Sequence, residues 1–174
     1  ICSGEKLSGH TQKNVIDTFP KMSLYNLYGM SEAAGDSLAT AINPDSESIG
    51  KHISNTRVYV LDASLKPLPA GVVGELYISG MALARGYSER SGLSASRFIA
   101  CPFEQETPPG TRMYRTGDLA KWTCDGGIEY MGRADSQVKI RGNRIELNEI
   151  ENTLMQLSGI RECTVQAKIF NNTS

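Results

Sequence analysis

The chain has 174 residues, 40% of them hydrophobic and 21% charged, with a formal net charge of −1. That length and composition suit one to one and a half globular domains able to bury a core. The near-neutral charge gives no electrostatic reason to expect nucleic acid or an anionic membrane as partner, and no apolar run approaches the roughly 20 residues of a membrane span.

The opening, Ile1-Cys2-Ser3-Gly4-Glu5, has neither an initiator Met nor a charged, apolar leader, so the expectation is a cytoplasmic protein cut from a longer one. Cys2, Cys101, Cys124 and Cys163 are widely spaced with no Cys-x-x-Cys, which favours reduced thiols over a disulfide framework or zinc site. Gly4 to Thr11 has the outline of a phosphate-binding loop. His10 stands where the lysine would be, however, and no hydrophobic strand precedes it. The segment therefore reads as a turn, with His10 and His52 as isolated surface histidines.

A short helix is expected from Thr11 to Thr18, after Ser8-Gly9 and stopped by Pro20. Thr56 to Asp62 is β-branched and aromatic, and a turn rich in Pro and Gly follows at Lys66 to Gly71. Leu76 and Ile78 alternate with Glu75, Tyr77 and Ser79, the period of a half-buried strand. Ser94 to Ile99 suits a helical turn, and Asp125-Gly126-Gly127 suits a hairpin between Leu119–Thr123 and Ile128–Met131. Val138 and Ile140 lead to a hairpin turn at Gly142-Asn143. Leu147, Ile150, Leu154 and Leu157 then form one face of an amphipathic helix that Gly159 is placed to cap, and Cys163 to Ile169 alternate as a strand. Three zones result: a mixed α/β segment over 1–43, a small β-barrel-like part over 44–134, and a truncated α+β unit over 135–174.

Several side chains could carry chemistry. Glu32 follows a glycine turn, where a carboxylate can hold a divalent cation against phosphate oxygens; a solvated Glu beside a buried Tyr28 is the plainer alternative. Asp118, after Gly117, could accept hydrogen bonds from a ribose diol or simply make an Asx turn. Arg133 and Arg144 could pair with phosphate, and Asp135 separates two zones of different patterning, as a hinge would.

Taken in order, Asn26-Leu27-Tyr28-Gly29-Met30-Ser31-Glu32, Gly74 to Gly80, Leu83-Ala84-Arg85-Gly86-Tyr87, Tyr114 to Leu119 and Gly132-Arg133-Ala134-Asp135 resemble the signatures of the adenylation domain of a nonribosomal peptide synthetase. Met30 and Ser31 replace the family's Pro and Thr, and Asn148 stands where a Gly is usual. The resemblance implies a nucleotide site of Asn26, Tyr28, Gly29, Ser31, Asp118 and Arg133, with Tyr28 on adenine, Ser31 at the α-phosphate and Asp118 on the ribose. By the same match Glu32 ligates Mg²⁺, Asp135 is the hinge, and Ile1, Ser3, Leu27, Gly35 and Asp36 line the amino-acid pocket. Gly142 would let a carrier's phosphopantetheine arm pass close to the backbone.

The implied reaction joins an amino acid to Mg-ATP and loads a peptidyl carrier domain, working with the other synthetase domains of a full chain. The family's phosphate loop and its bridging lysine fall outside these 174 residues, so the polypeptide alone is expected to be inactive. An acyl- or aryl-CoA ligase fragment is the near alternative, and a non-catalytic nucleotide-binding or β-rich module the distant one.

Overall fold

The computed structural model describes residues 1–4, 8–42, 48–103, 111–140 and 143–168. Helix α1 (Gly9–Thr18) starts where the Ser8 hydroxyl accepts a hydrogen bond from the Thr11 amide at 3.1 Å. That bond satisfies one of the donors left unpaired in a first helical turn. In chain order, β1 (Cys2–Ser3) precedes α1, and β2 (Tyr25–Met30), β3 (Gly35–Ala41), β4 (Ser48–His52), β5 (Thr56–Leu61) and β6 (Gly74–Gly80) come after it. Helix α2 (Ser91–Arg97), β7 (Phe98–Ala100), β8 (Arg112–Trp122) and β9 (Ile128–Arg133) follow. The fold is mixed α/β, as expected. Contacts divide between Ala134 and Asp135 into two units.

The strands of the first unit form one sheet in the order β1-β2-β3-β4-β9-β8-β6-β5, with β7 added beside β8. The sheet is continuous through the residues on both sides of position 43, because β3 pairs β4 and β4 pairs β9. The strands expected to make a small barrel thus share a ladder with the segment before them. Four steps separate β2 from β8 in that order, roughly 19 Å along a flat sheet. Yet the Tyr28 hydroxyl on β2 donates to Asp118 on β8. The sheet must therefore curl, and register shifts at Tyr28/Gly29, Ser48/Gly50 and Leu119/Ala120, along those four steps, supply bends.

Alternation sorts the strands onto two faces. Val58, Val60, Leu76 and Ile78 join Tyr28, Leu38, Ala120 and Ile128 inside the curl, with the single Trp122 packed against them. Leu61, Tyr77 and Met113 face the other side with Cys101. There Tyr59 stacks on Phe103 with ring centroids 4.5 Å apart.

In the second unit β10 (Gln137–Ile140) pairs antiparallel with β11 (Asn143–Glu146), and α3 (Leu147–Met155) follows; Asn143, expected in the hairpin turn, instead pairs with Ile140, and Gly142 lies outside the described residues. Helix α3 stops before Leu157, and Gly159 takes its positive φ of 97° in the turn beyond rather than at the helix end. The strand expected from Cys163 does not form among the described residues, where 161–168 have no ladder partner. Instead the Val165 amide donates to the Glu151 carboxylate at 2.8 Å, and the Cys163 thiol to the Glu151 carbonyl at 3.3 Å. Alternation alone cannot make a strand without a neighbour to bond. Ile169 lies outside the described residues.

Leu38 is fully buried in the inner cluster, so Leu38→Ala should lower the unfolding free energy by about 3 kcal/mol. Lys121→Ala, which removes only the partly exposed pair with Glu129, should cost under about 1 kcal/mol; urea titration of the two variants measures both.

Candidate functional site

β8 and β9 lie in a register that sets Asp118 opposite Arg133. The Arg133 Nη1 donates to Asp118 Oδ1 at 2.6 Å, and its Nη2 reaches the Thr116 carbonyl at 3.2 Å. Tyr28 donates to Asp118 Oδ2 across the curl. The Thr116 hydroxyl supports the turn from below, accepting from the Asp118 amide at 3.0 Å and donating to the Leu76 carbonyl at 2.7 Å. Asp118 and Arg133 side chains are only 4% and 10% exposed, so both charges are tolerated because each is paired. Burial, and then the Asp118 charge, hold the Tyr28 phenol well above its ordinary pKa.

Glu32 sits in a 3-10 turn (Ser31–Ala33) reached by a tight reversal from β2 to β3. That reversal needs Gly29: a Cβ there would fall 1.6 Å from the Gly35 carbonyl oxygen. The Glu32 carboxylate is not solvated. It is 8% exposed, and its Oε1 accepts from Tyr87 at 2.7 Å and Tyr114 at 3.0 Å, with the two hydroxyls 3.2 Å apart. Burial, followed by the contacts with Tyr114 and Glu32, raises the Tyr87 pKa far above the phenol range.

The remaining expected residues fall around these two carboxylates or away from them. Asn26 shares the β2 face of Tyr28, and its Oδ1 is buried with no hydrogen-bond partner. Ser31 is exposed at the turn. Ser3 pairs with Leu27, and its hydroxyl donates to Asp36 Oδ1 at 3.2 Å; Gly35 and Asp36 open β3 opposite Met30 and Gly29. Ile1 is 84% exposed.

In the second unit Asp135 accepts from the Gln137 amide at 3.3 Å, and Arg144 stands 3.9 Å from Glu146. Gly142 lies outside the described residues. Asp62 accepts the Ser64 and Lys66 amides as an Asx turn does, whereas the Asp118 carboxylate bonds Tyr28 and Arg133. His10 and His52 are exposed. Among the described residues no group of three His, Cys, Asp or Glu side chains could hold a metal, and no helix is long and apolar enough to cross a membrane. Sequence reasoning missed Tyr87, Tyr114 and Thr116 as site members, although all three lie inside the motifs it quoted.

Two outcomes follow from the paired carboxylate. Arg133→Met should destabilise the chain by about 3–5 kcal/mol by leaving a buried charge, and Tyr28→Phe by about 1.5–3 kcal/mol. Because the folded pKa of Tyr28 lies above its reference value of 10.0, the native state holds the extra proton above that pH. Its contribution is therefore intact below pH 10 and lost as pH rises beyond it. Urea unfolding across the alkaline range should show this decline, and Tyr28→Phe should make it shallower.

Residues 1–88 match the family of AMP-binding enzymes. The chain is 46% identical over 170 residues to phosphinothricin tripeptide synthetase PhsB of Streptomyces viridochromogenes, covering 97% of this chain and 14% of that protein. It is 52% identical over 170 residues to gramicidin S synthase 2 of Brevibacillus brevis, covering 95% of this chain and 4% of that one. It thus spans a small part of the curated relatives it matches. Among solved structures, PA1221, an NRPS protein containing adenylation and PCP domains, superposes with a TM-score of 0.85 at 27% identity, over 97% of this chain and 35% of that one. A four-domain nonribosomal peptide synthetase, AB3403, bound to AMP and glycine, gives 0.69 at 39% identity, over 98% and 13%. With a family match over half its length and relatives of this similarity, the chain belongs to the AMP-binding enzymes.

Proposed function

We propose that these residues are part of an amino-acid-activating adenylation domain, which forms an aminoacyl-adenylate and then loads a peptidyl carrier domain. In the first step a carboxylate oxygen of the amino acid bonds to the α-phosphorus of ATP, and the bond to the β-phosphate breaks to release pyrophosphate. In the second the thiol of the carrier's phosphopantetheine arm bonds to the acyl carbon, and AMP leaves. The observation that carries this reading is the meeting of Tyr28 and Asp118, 90 positions apart, with Arg133 beside Asp118. The relatives named as peptide synthetases support an amino acid over another acyl substrate.

In this reading Asp118 accepts the ribose hydroxyls, sharing a carboxylate that Arg133 orients. Tyr28 serves the adenine, Asn26 offers its orphaned Oδ1 to a donor on the base, and Gly29 keeps the turn close. The Ser31 hydroxyl meets the α-phosphate.

A buried carboxylate beside a hydroxyl suits a magnesium ion held chiefly by substrate phosphates and water. Glu32 would hold it, with Ser31 next to it, and the ion would neutralise phosphate charge. Ile1, Ser3, Leu27, Gly35 and Asp36 line the substrate pocket, where the Ser3–Asp36 contact favours a polar side chain. Asp135 is assigned as the hinge and Gly142 as the place where the pantetheine arm passes.

Amino-acid-dependent exchange of pyrophosphate into ATP by the full-length domain tests the proposal. Asp118→Asn and Glu32→Gln should each lower exchange by roughly 100-fold, the scale of losing one preorganised charged contact. Exchange driven only by fatty or aryl acids, or indifferent to both substitutions, would overturn it. The 174-residue polypeptide alone should give no exchange above a Glu32→Ala control.

A further inference from the structure

We propose that Tyr87 and Tyr114 are positioning residues that fix the Glu32 carboxylate for a magnesium–nucleotide complex, and that residues 84–87 form a strap that delivers the Tyr87 hydroxyl. This inference rests on the adenylation reading above and names two side chains that the reading does not use. Tyr114 is fully buried on β8, so its hydroxyl is set by a rigid strand. Tyr87 has no such support from regular structure and is held by other means.

The Ala84 amide donates to the Glu32 carbonyl at 2.8 Å. The Arg112 guanidinium donates to the carbonyls of Ala84 and Arg85, each at 2.9 Å. The Tyr87 amide donates to the Ser94 hydroxyl at 2.8 Å. Gly86, at φ 151°, lets the strap approach α2, since a Cβ there would lie 2.8 Å from the Ser94 oxygen. Phe98 fills the space between the two phenols, with ring centroids 5.6 Å from Tyr87 and 5.0 Å from Tyr114.

The donors suit the task. Both hydroxyls bond one oxygen, Oε1, and fix the carboxylate's orientation without bringing a positive charge to it. A lysine or arginine in either place would orient Glu32 equally well but oppose a cation. Magnesium requires near-ideal octahedral geometry, so a carboxylate free to swing binds it less well than one held in place.

The test compares wild-type full-length domain with Tyr87→Phe, Tyr114→Phe and the double variant. Manganese, a paramagnetic substitute for magnesium, is titrated in the presence of ATP and followed by electron paramagnetic resonance; ATP binding is measured separately in a chelator. The double variant should bind the manganese–ATP complex about tenfold more weakly, each single variant less so, with metal-free ATP affinity within about twofold of wild type. Equal weakening with and without metal would mean a structural role only, and unchanged metal affinity would mean no role; either overturns the proposal. Should Tyr114→Phe fail to fold, Tyr87→Phe decides alone. Wild-type protein that binds no ATP under either condition would instead remove the adenylation reading beneath it.

Discussion

The buried carboxylate of Asp118 is the constraint on which the first unit depends. It takes a hydrogen bond from a strand four steps away in the ladder and an ion pair from the strand beside it. A flat sheet could satisfy the second contact but not the first. The curl that closes the distance also gives Val58, Leu76 and Ile78 something to pack against, namely Tyr28 and Leu38. The polar contact and the apolar cluster are therefore two results of one bend. Neither is energetically independent: a phenol that leaves Asp118 also leaves the core.

The two buried carboxylates take different kinds of donor. Asp118 is matched by a guanidinium, so the pair presents little net charge. The two phenols bonded to Glu32 orient it and add no charge of their own. Under the proposed function, the first arrangement suits an acceptor of hydroxyl donors and the second a carboxylate that attracts a cation. The same β8 strand carries Tyr114 and Asp118, four residues apart, and so reaches both carboxylate sites.

The local elements were largely legible in the sequence because their causes are local. Ser8 caps α1, Leu76 and Ile78 alternate into β6, and Asp125-Gly126-Gly127 turns β8 into β9. Asp118 and Glu32 were legible as candidates through the signatures that surround them. The partners of Glu32 were not. Tyr87 and Tyr114 lie 55 and 82 positions away, and no periodicity or spacing encodes a contact made by curling a sheet and folding a strap. The same limit explains the strand expected at Cys163: alternation was present, but a ladder needs a neighbour, and Glu151 takes the amide of Val165 instead.

Trp122, the chain's single tryptophan, packs on the inner cluster that includes Tyr28. Nature has thus placed one fluorophore against the group of side chains whose arrangement governs the bend. Its emission gives a native optical probe of that region, with no label and no competing indole to subtract.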